Sequence, residues 1–283
     1  MLRYLLGILL GCVCGIFCLG CSQKAANSGG IIAMTPSLSE AVWAIEAENE
    51  HLLSATSPFT TDARAEGMTR IQSVGALEMI VSMRPELVLI HPSDAQLGDK
   101  LEAMGIPVMS HAMDTVADID SVMNGLGRRL HREEAAARTI RTMHDELDAN
   151  ARRYFRDKKD RILIVVDRLD ARMQQLYVAR KPAFLADLVE GCGFDVIASG
   201  EESWSRIGAE KLIESDPESI LFLARSPEDA RDVEKSFRET YSGLTAVRKD
   251  RFYVYDDPDI TVPGPGMGKR QAKLCAFLEK HNR

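Results

Sequence analysis

Aromatic side chains are scarce in this sequence: Phe, Tyr and Trp make up 6% of 283 residues, and only two are Trp. The chain therefore has little ring surface on which to stack a ligand. Basic tracts are also missing. The formal charge is −7, and leaving out the first twenty residues, whose single charge is Arg3, makes it −8. A mildly acidic body without a basic run excludes nucleic acid and an anionic membrane surface as partners. There is no G-x-S-x-G, no Cys–His pair outside the two body cysteines considered below, and no acid pair set in a motif, so no catalytic set is indicated. His residues are never spaced as H-x-x-x-H, which leaves no protein-only zinc site. Gly264-Pro265-Gly266-Met267-Gly268-Lys269 mimics a phosphate loop but lacks the spacing and the Ser/Thr of a Walker motif. It reads as a turn and a helix start, whose N-terminus is able to face an anionic group.

Cysteine is unevenly placed. Four of the six (Cys12, Cys14, Cys18, Cys21) precede residue 22, and only Cys192 and Cys275 lie in the body. The N-terminus explains the first four. Arg3 supplies a positive charge, Tyr4–Leu19 is almost wholly apolar, and a polar stretch, Ser22–Gly30, follows Cys21. An apolar run this short suits an export signal better than a spanning helix. Cys18-Leu19-Gly20-Cys21 resembles a bacterial lipobox, in which Cys21 is lipidated; Leu9-Leu10-Gly11-Cys12 is a rival match that would leave apolar Val13–Leu19 on the mature chain. The expectation is a signal peptide over 1–20, a linker over 21–29, export, and membrane attachment only through the lipid. Two remaining cysteines in an exported body suggest one disulfide.

What is present is ordinary globular composition, 45% hydrophobic and 27% charged, with room for two modest lobes or one large domain. Residues 132–157 hold no Gly and no Pro. Apolar residues recur in steps of three and four at Ala136, Ile140, Met143, Leu147, Ala151 and Tyr154/Phe155, so one apolar stripe runs along a long helix. Glu133 and Glu134 open it, and Arg152, Arg153 and Arg156 close it, as the macrodipole favours. The segments on either side, 30–131 and 158–283, each alternate strands and helices, for example Glu86–Ile90 and Arg161–Asp167 as strands. Such alternation means βαβ units and parallel sheets. The long helix is then a strut joining two α/β lobes, the alternative being a surface helix of one domain. Ser37 with Glu40 reads as a capping box opening a helix.

Several stretches now match one family: Ile32-Ala33-Met34-Thr35-Pro36-Ser37-Leu38-Ser39-Glu40, Leu77-Glu78-Met79-Ile80, Arg84-Pro85-Glu86-Leu87-Val88-Leu89, Gly105-Ile106-Pro107-Val108, Leu126-Gly127 and Pro263-Gly264-Pro265. Their order around one long helix resembles the helical-backbone metal-chelate receptors, the substrate-binding proteins of ATP-driven importers for cobalamin, ferric siderophores and haem. The resemblance spans roughly residues 30–281. It implies two Rossmann-like lobes bridged by a single backbone helix (a class III substrate-binding protein), a monomer, a ligand in the cleft between the lobes and no enzyme activity. Cys192, Cys275 and Trp204, six residues before Glu210, resemble the cobalamin branch, where the two cysteines form a disulfide and the Trp lines the cleft. Val74-Gly75 runs almost directly into Leu77-Glu78, so a loop found there in that branch is nearly absent; His91 replaces an aromatic and Gly266 an Arg.

The resemblance implies a cobalt or iron chelate as the bound ligand, a corrinoid first and a ferric siderophore or haem second, with no intrinsic cofactor or protein-held metal. A chelatase of similar build and a sensor-linked binding protein are the readings from other classes. Candidate ligand contacts are Phe59, His91, Trp204, Asp256 and Asp257, with His111 beside them. Neutral imidazole offers cobalt or iron an axial nitrogen. Glu78 and Glu210 match family positions whose carboxylates meet arginines of the membrane permease.

Overall fold

The computed structural model describes residues 29–157, 159–197 and 202–281. The expected signal, the linker up to residue 28 and the lipidation candidates Cys21 and Cys12 lie outside the described residues.

The first lobe runs β1 (Ile31–Ala33), α1 (Pro36–Trp43), β2 (Leu53–Thr56), β3 (Thr69–Arg70), α2 (Ala76–Met83), β4 (Leu87–Ile90), α3 (Ala95–Ala103), β5 (Val108–Ser110) and α4 (Val116–Arg129). Its five strands are all parallel, in the order β3-β2-β1-β4-β5. The run Leu87-Val88-Leu89-Ile90 is buried throughout, as a strand covered on both faces must be. Connections reverse direction between β1 and β4, so the loops after these two strands flank the crevice where such sheets hold ligands.

Helix α1 starts differently from the capping box expected at Ser37 and Glu40. Pro36 takes the first helical position, where its missing N–H costs nothing, and Thr35 becomes the cap, its hydroxyl accepting from Leu38 N at 3.2 Å. This leaves the Glu40 carboxylate free for a distant partner. Helix α4 does carry a capping box: Thr115 Oγ1 accepts from Asp118 N at 3.1 Å, and Asp118 accepts from Thr115 N at 2.9 Å.

Helix α5 (Glu133–Arg153) follows, 21 residues or about 31 Å long. Ala136 and Met143 on its stripe are buried, and Ile140 and Leu147 pack against the core. It stops four residues short of the expected Asp157. The chain must descend there to the second lobe, and the Tyr154 carbonyl lies against Gly193, where a Cβ would come within 2.5 Å of it. Gly193 also has φ +86°, a value that costs glycine nothing.

The second lobe runs β6 (Asp160–Arg168), β7 (Gln175–Ala179), α6 (Phe184–Gly191), β8 (Phe194–Val196), β9 (Trp204–Gly208), α7 (Ala209–Ser215), β10 (Ser219–Leu223), α8 (Pro227–Thr240), α9 (Thr245–Arg248), β11 (Phe252–Tyr255) and α10 (Met267–His281). Its sheet is mixed, in the order β11-β10-β6-β7-β9 with β8 also on β6. The core β11-β10-β6 is parallel, whereas β7 is antiparallel to both β6 and β9. Only residues 169–174 join β6 to β7, enough for a hairpin and too few for a helical crossover.

One apolar core runs through both lobes. Leu89 and Leu126 of the first, Met143 of α5, and Leu188, Leu221 and Leu274 of the second belong to a single buried cluster. Separate clusters lie on the outer face of each sheet. Cys192 at the end of α6 and Cys275 in α10 are joined by a disulfide, Cα–Cα 4.8 Å, across 83 residues of sequence.

Candidate functional site

The slot between the lobes is framed by four loops of the first lobe, those after β2, β1, β4 and β5 in spatial order. Direct inter-lobe bonds close both of its ends. At the β2 end, Thr61 Oγ1 donates to Asp259 Oδ1 at 2.9 Å. At the β5 end, Trp204 Nε1 donates to Asp114 Oδ1 at 2.8 Å, and Phe184 N donates to the Asp114 carbonyl, also at 2.8 Å. Strands β2 and β5 are three strand spacings apart, about 14 Å, and the two bridges start from the loops that follow them. At the base, Glu40 of α1 accepts from Gly266 N at 2.6 Å and is ion-paired with Arg270 of α10.

The loop after β2 is held from within. The hydroxyls of Ser39, Thr56 and Thr60 form a buried chain. The Arg70 guanidinium donates to the carbonyls of Ser57, Thr60 and Ala65 at 3.0, 2.8 and 2.9 Å. On this braced loop Phe59 is 78% exposed, an unusual state for a large apolar ring on fixed backbone.

His91 follows β4 near the middle of the slot. Its Nδ1 accepts from Ser93 N at 3.2 Å and lies 2.9 Å from Ser93 Oγ. A neutral ring that accepts at Nδ1 carries its proton on Nε2, so in this arrangement Nε2 is a donor and offers no lone pair to a metal. His111 is half-buried after β5, and its backbone N donates to the Ile90 carbonyl at 3.1 Å.

In the second lobe, Trp204 opens β9. Its ring stacks on Tyr177 at 6.3 Å and meets the edge of Phe184 at 6.0 Å. Asp256 is exposed. Asp257 is held in place: it accepts from Asp259 N at 3.1 Å, lies 3.7 Å from Lys273 and takes a hydrogen bond from Tyr255. Burial, and then the neighbouring Asp257, push the Tyr255 hydroxyl pKa well above its ordinary value, so Tyr255 stays neutral and donates.

Phe59 is thus two residues from Thr61, and Asp256 and Asp257 lie just before Asp259, near one inter-lobe bond; Trp204 makes the other, and His91 follows the strand between. Helix α10 meets no external anion through its N-terminus, because the Glu40 carboxylate fills that position. A Cβ at Gly266 would lie 2.5 Å from Glu40 Oε1, so glycine is what lets the two elements approach. Asp114, Tyr177 and the Glu40–Arg270 pair were not legible in the sequence, since their partners lie tens to hundreds of residues away, and Arg70 was not legible because its three acceptors are loop carbonyls that follow no pattern. Among the described residues, no group of three or more His, Cys, Asp or Glu forms a metal site, and no helix is long and apolar enough to cross a membrane.

Glu78 and Glu210 stand apart from the slot interior. Each is exposed in the first turn of its helix, α2 and α7 respectively. Exposed apolar residues accompany them: Val74 at 92% and Met79 at 45% near Glu78, and Ile213 at 59% one turn after Glu210.

Two α/β lobes, one crossing helix and direct bonds between the lobes define the class of two-lobed binding proteins. The pattern of one family, described as periplasmic binding protein, matches residues 59–258, and the chain belongs to that family. No curated protein sequence matches the chain. Among solved structures, it superposes on the vitamin B12 binding protein BtuF of Vibrio cholerae with a TM-score of 0.69 and 16% identity, covering 90% of this chain and 98% of that one. For the haem-complexed IsdE of S. aureus the TM-score is 0.73 and the identity 14%, over 88% and 98% of the chains. A possible iron-binding periplasmic protein of Staphylococcus epidermidis gives 0.72 and 17%, again over 88% and 98%.

Proposed function

We propose that this protein captures a metal chelate in the slot between its lobes and delivers it to the membrane subunits of an ABC importer, with a corrinoid as the preferred cargo. The observation that carries this reading is the slot itself. Exposed Phe59 and half-buried Trp204 supply apolar surface at its two ends, His91 supplies a ring N–H donor near its middle, and polar side chains close the rim. That combination suits a large, mostly apolar ligand with a few polar groups. Relatives of the same fold are named for vitamin B12, haem and iron. Trp204 and the Cys192–Cys275 disulfide support the corrinoid; haem or a ferric siderophore in the same slot is the second reading, supported by the haem-loaded neighbour. The chain acts as an exported monomer tethered through Cys21, with Glu78 and Glu210 as its two contacts on the permease. It binds and releases, and catalyses nothing.

Absorption spectra test this directly, because corrinoids, haem and ferric siderophores absorb differently. Purified protein titrated with cobinamide, cyanocobalamin, haemin and ferric siderophores gains a bound chromophore at micromolar concentration. Calorimetry showing no binding of any of them overturns the reading.

A further inference from the structure

We infer that Asp114 is a positioning residue for the ligand slot: it holds the Trp204 indole from the opposite lobe and so fixes the slot at its β5 end. The inference rests on the ligand slot proposed above, and its first readout is independent of any ligand.

The two halves of Asp114 do separate jobs. Its carboxylate accepts the indole N–H at 2.8 Å, and its carbonyl accepts the first N–H of α6, from Phe184, at 2.8 Å. Both donors belong to the second lobe. Trp204 is the edge-strand residue paired with Ala179 on β7, and its ring is packed on Tyr177 and Phe184. Packing on two rings restrains the indole plane, but only a bond at Nε1 fixes which edge faces the first lobe. An indole N–H has one donor and no acceptor, so it needs a partner when half-buried. Asp114 supplies that partner from an otherwise fixed position, because the next residue, Thr115, is locked in the capping box of α4. The result is a tryptophan whose position is set by the other wall of the slot, which is the condition for binding without the cost of ordering it first.

A carboxylate is suited to this task for a second reason. Charge-assisted acceptors give shorter and stronger bonds than neutral ones. The Asn variant retains an oxygen acceptor of the same shape, whereas the Ala variant leaves the N–H to water or to nothing.

The test uses the mature protein carrying Trp43→Phe, so that Trp204 is its only tryptophan. Asp114→Ala shifts the Trp204 emission maximum and shortens its lifetime, while Asp114→Asn keeps the parent spectrum. With cobinamide and haemin as probes, Asp114→Ala weakens binding about tenfold, the loss expected when a half-buried donor is left without its partner, and Asp114→Asn recovers most of it. A thermal melt confirms that both variants are folded; Trp204→Phe, which keeps a ring but has no N–H, supplies the same test from the other side and weakens binding as Asp114→Ala does. An unchanged emission in Asp114→Ala overturns the inference, as does an altered emission with unaltered affinity. If neither probe binds the parent protein, the chelate reading falls, and the emission of Asp114→Ala against Asp114→Asn alone decides whether Asp114 positions Trp204.

Discussion

Replacing Glu40 by Ala removes the carboxylate that joins the lobes at the base of the slot. Two donors lose their acceptor, Gly266 N and Arg270. The side chains are 14% and 16% exposed, and Arg270 Nη1 is already buried without a partner. Breaking a buried ion pair costs about 3–5 kcal/mol because the other charge stays behind. Neither group is fully dry, so the lower end applies, about 3 kcal/mol. For a chain of this size each kcal/mol moves the melting temperature by roughly 2–4 °C, which gives a fall of about 6–12 °C. Scanning calorimetry reads this directly, and the shared core predicts a single endotherm for both lobes. Glu40→Gln keeps an acceptor for Gly266 N but loses the charge and falls in between. The double variant Glu40→Ala with Arg270→Ala regains part of the loss, because no buried charge is stranded. A Glu40→Ala protein melting within about 2 °C of the parent, or two single variants whose losses simply add, would refute the assignment.

Glu78→Arg with Glu210→Arg leaves chelate affinity intact and abolishes uptake by cells carrying the permease; normal uptake, or a fall in chelate affinity, shows that these acids are not the docking contacts. Replacing Cys192 and Cys275 by Ser opens a loop for which the chain-entropy argument assigns about 4–5 kcal/mol, with real values often lower, so the melting temperature drops sharply, and titration of the unreduced, unfolded mature parent finds no free thiol; two free thiols would contradict the pairing. The amide and hydroxyl of Thr245, both 2.7 Å from Asp216, hold that carboxyl below its ordinary pKa. The folded chain therefore gives up this proton more readily than the unfolded chain, and the contact stabilises above the unfolded value of about 3.9 and is lost as pH falls through the folded one. Asp216→Asn accordingly melts slightly lower than the parent at neutral pH, the effect being small for an exposed group, and the two converge in strong acid; a difference that grows on acidification would show the reverse sign.

Features written in local pattern were legible. The stripe along α5, the buried run of β4 and the alternation of strand and helix each follow from spacing within a few residues, and the structure has all three. Strand direction in the second lobe was less so: β7 reads as a strand from its own residues, yet its antiparallel pairing depends on the shortness of the 169–174 turn. The Ser37–Glu40 capping box failed because two local rules competed, and Pro36 shifted the cap to Thr35. The walls of the slot were legible only as candidates. His91 and Phe59 stand at strand ends, which the sequence shows. Their surroundings depend on Arg70, Ser93 and contacts such as Trp204–Asp114 and Thr61–Asp259, 90 and 198 residues apart. No periodicity or short motif encodes a bond between residues that far apart.

The Glu40–Arg270 pair also bears on the order in which the molecule is completed. Its members are 230 residues apart, one near the start of the folded body and the other in its last helix. At synthesis rates of about 5–20 residues per second, on the order of 10–50 s pass between the appearance of the acid and that of its partner. Through that interval the first lobe lacks the partner of Glu40, and the flank of α5 and α6 that α10 covers stays open. Helix α10 therefore acts as a closing piece: a chain truncated before it would leave Glu40 without Arg270 and the apolar flank of α5 and α6 exposed to solvent.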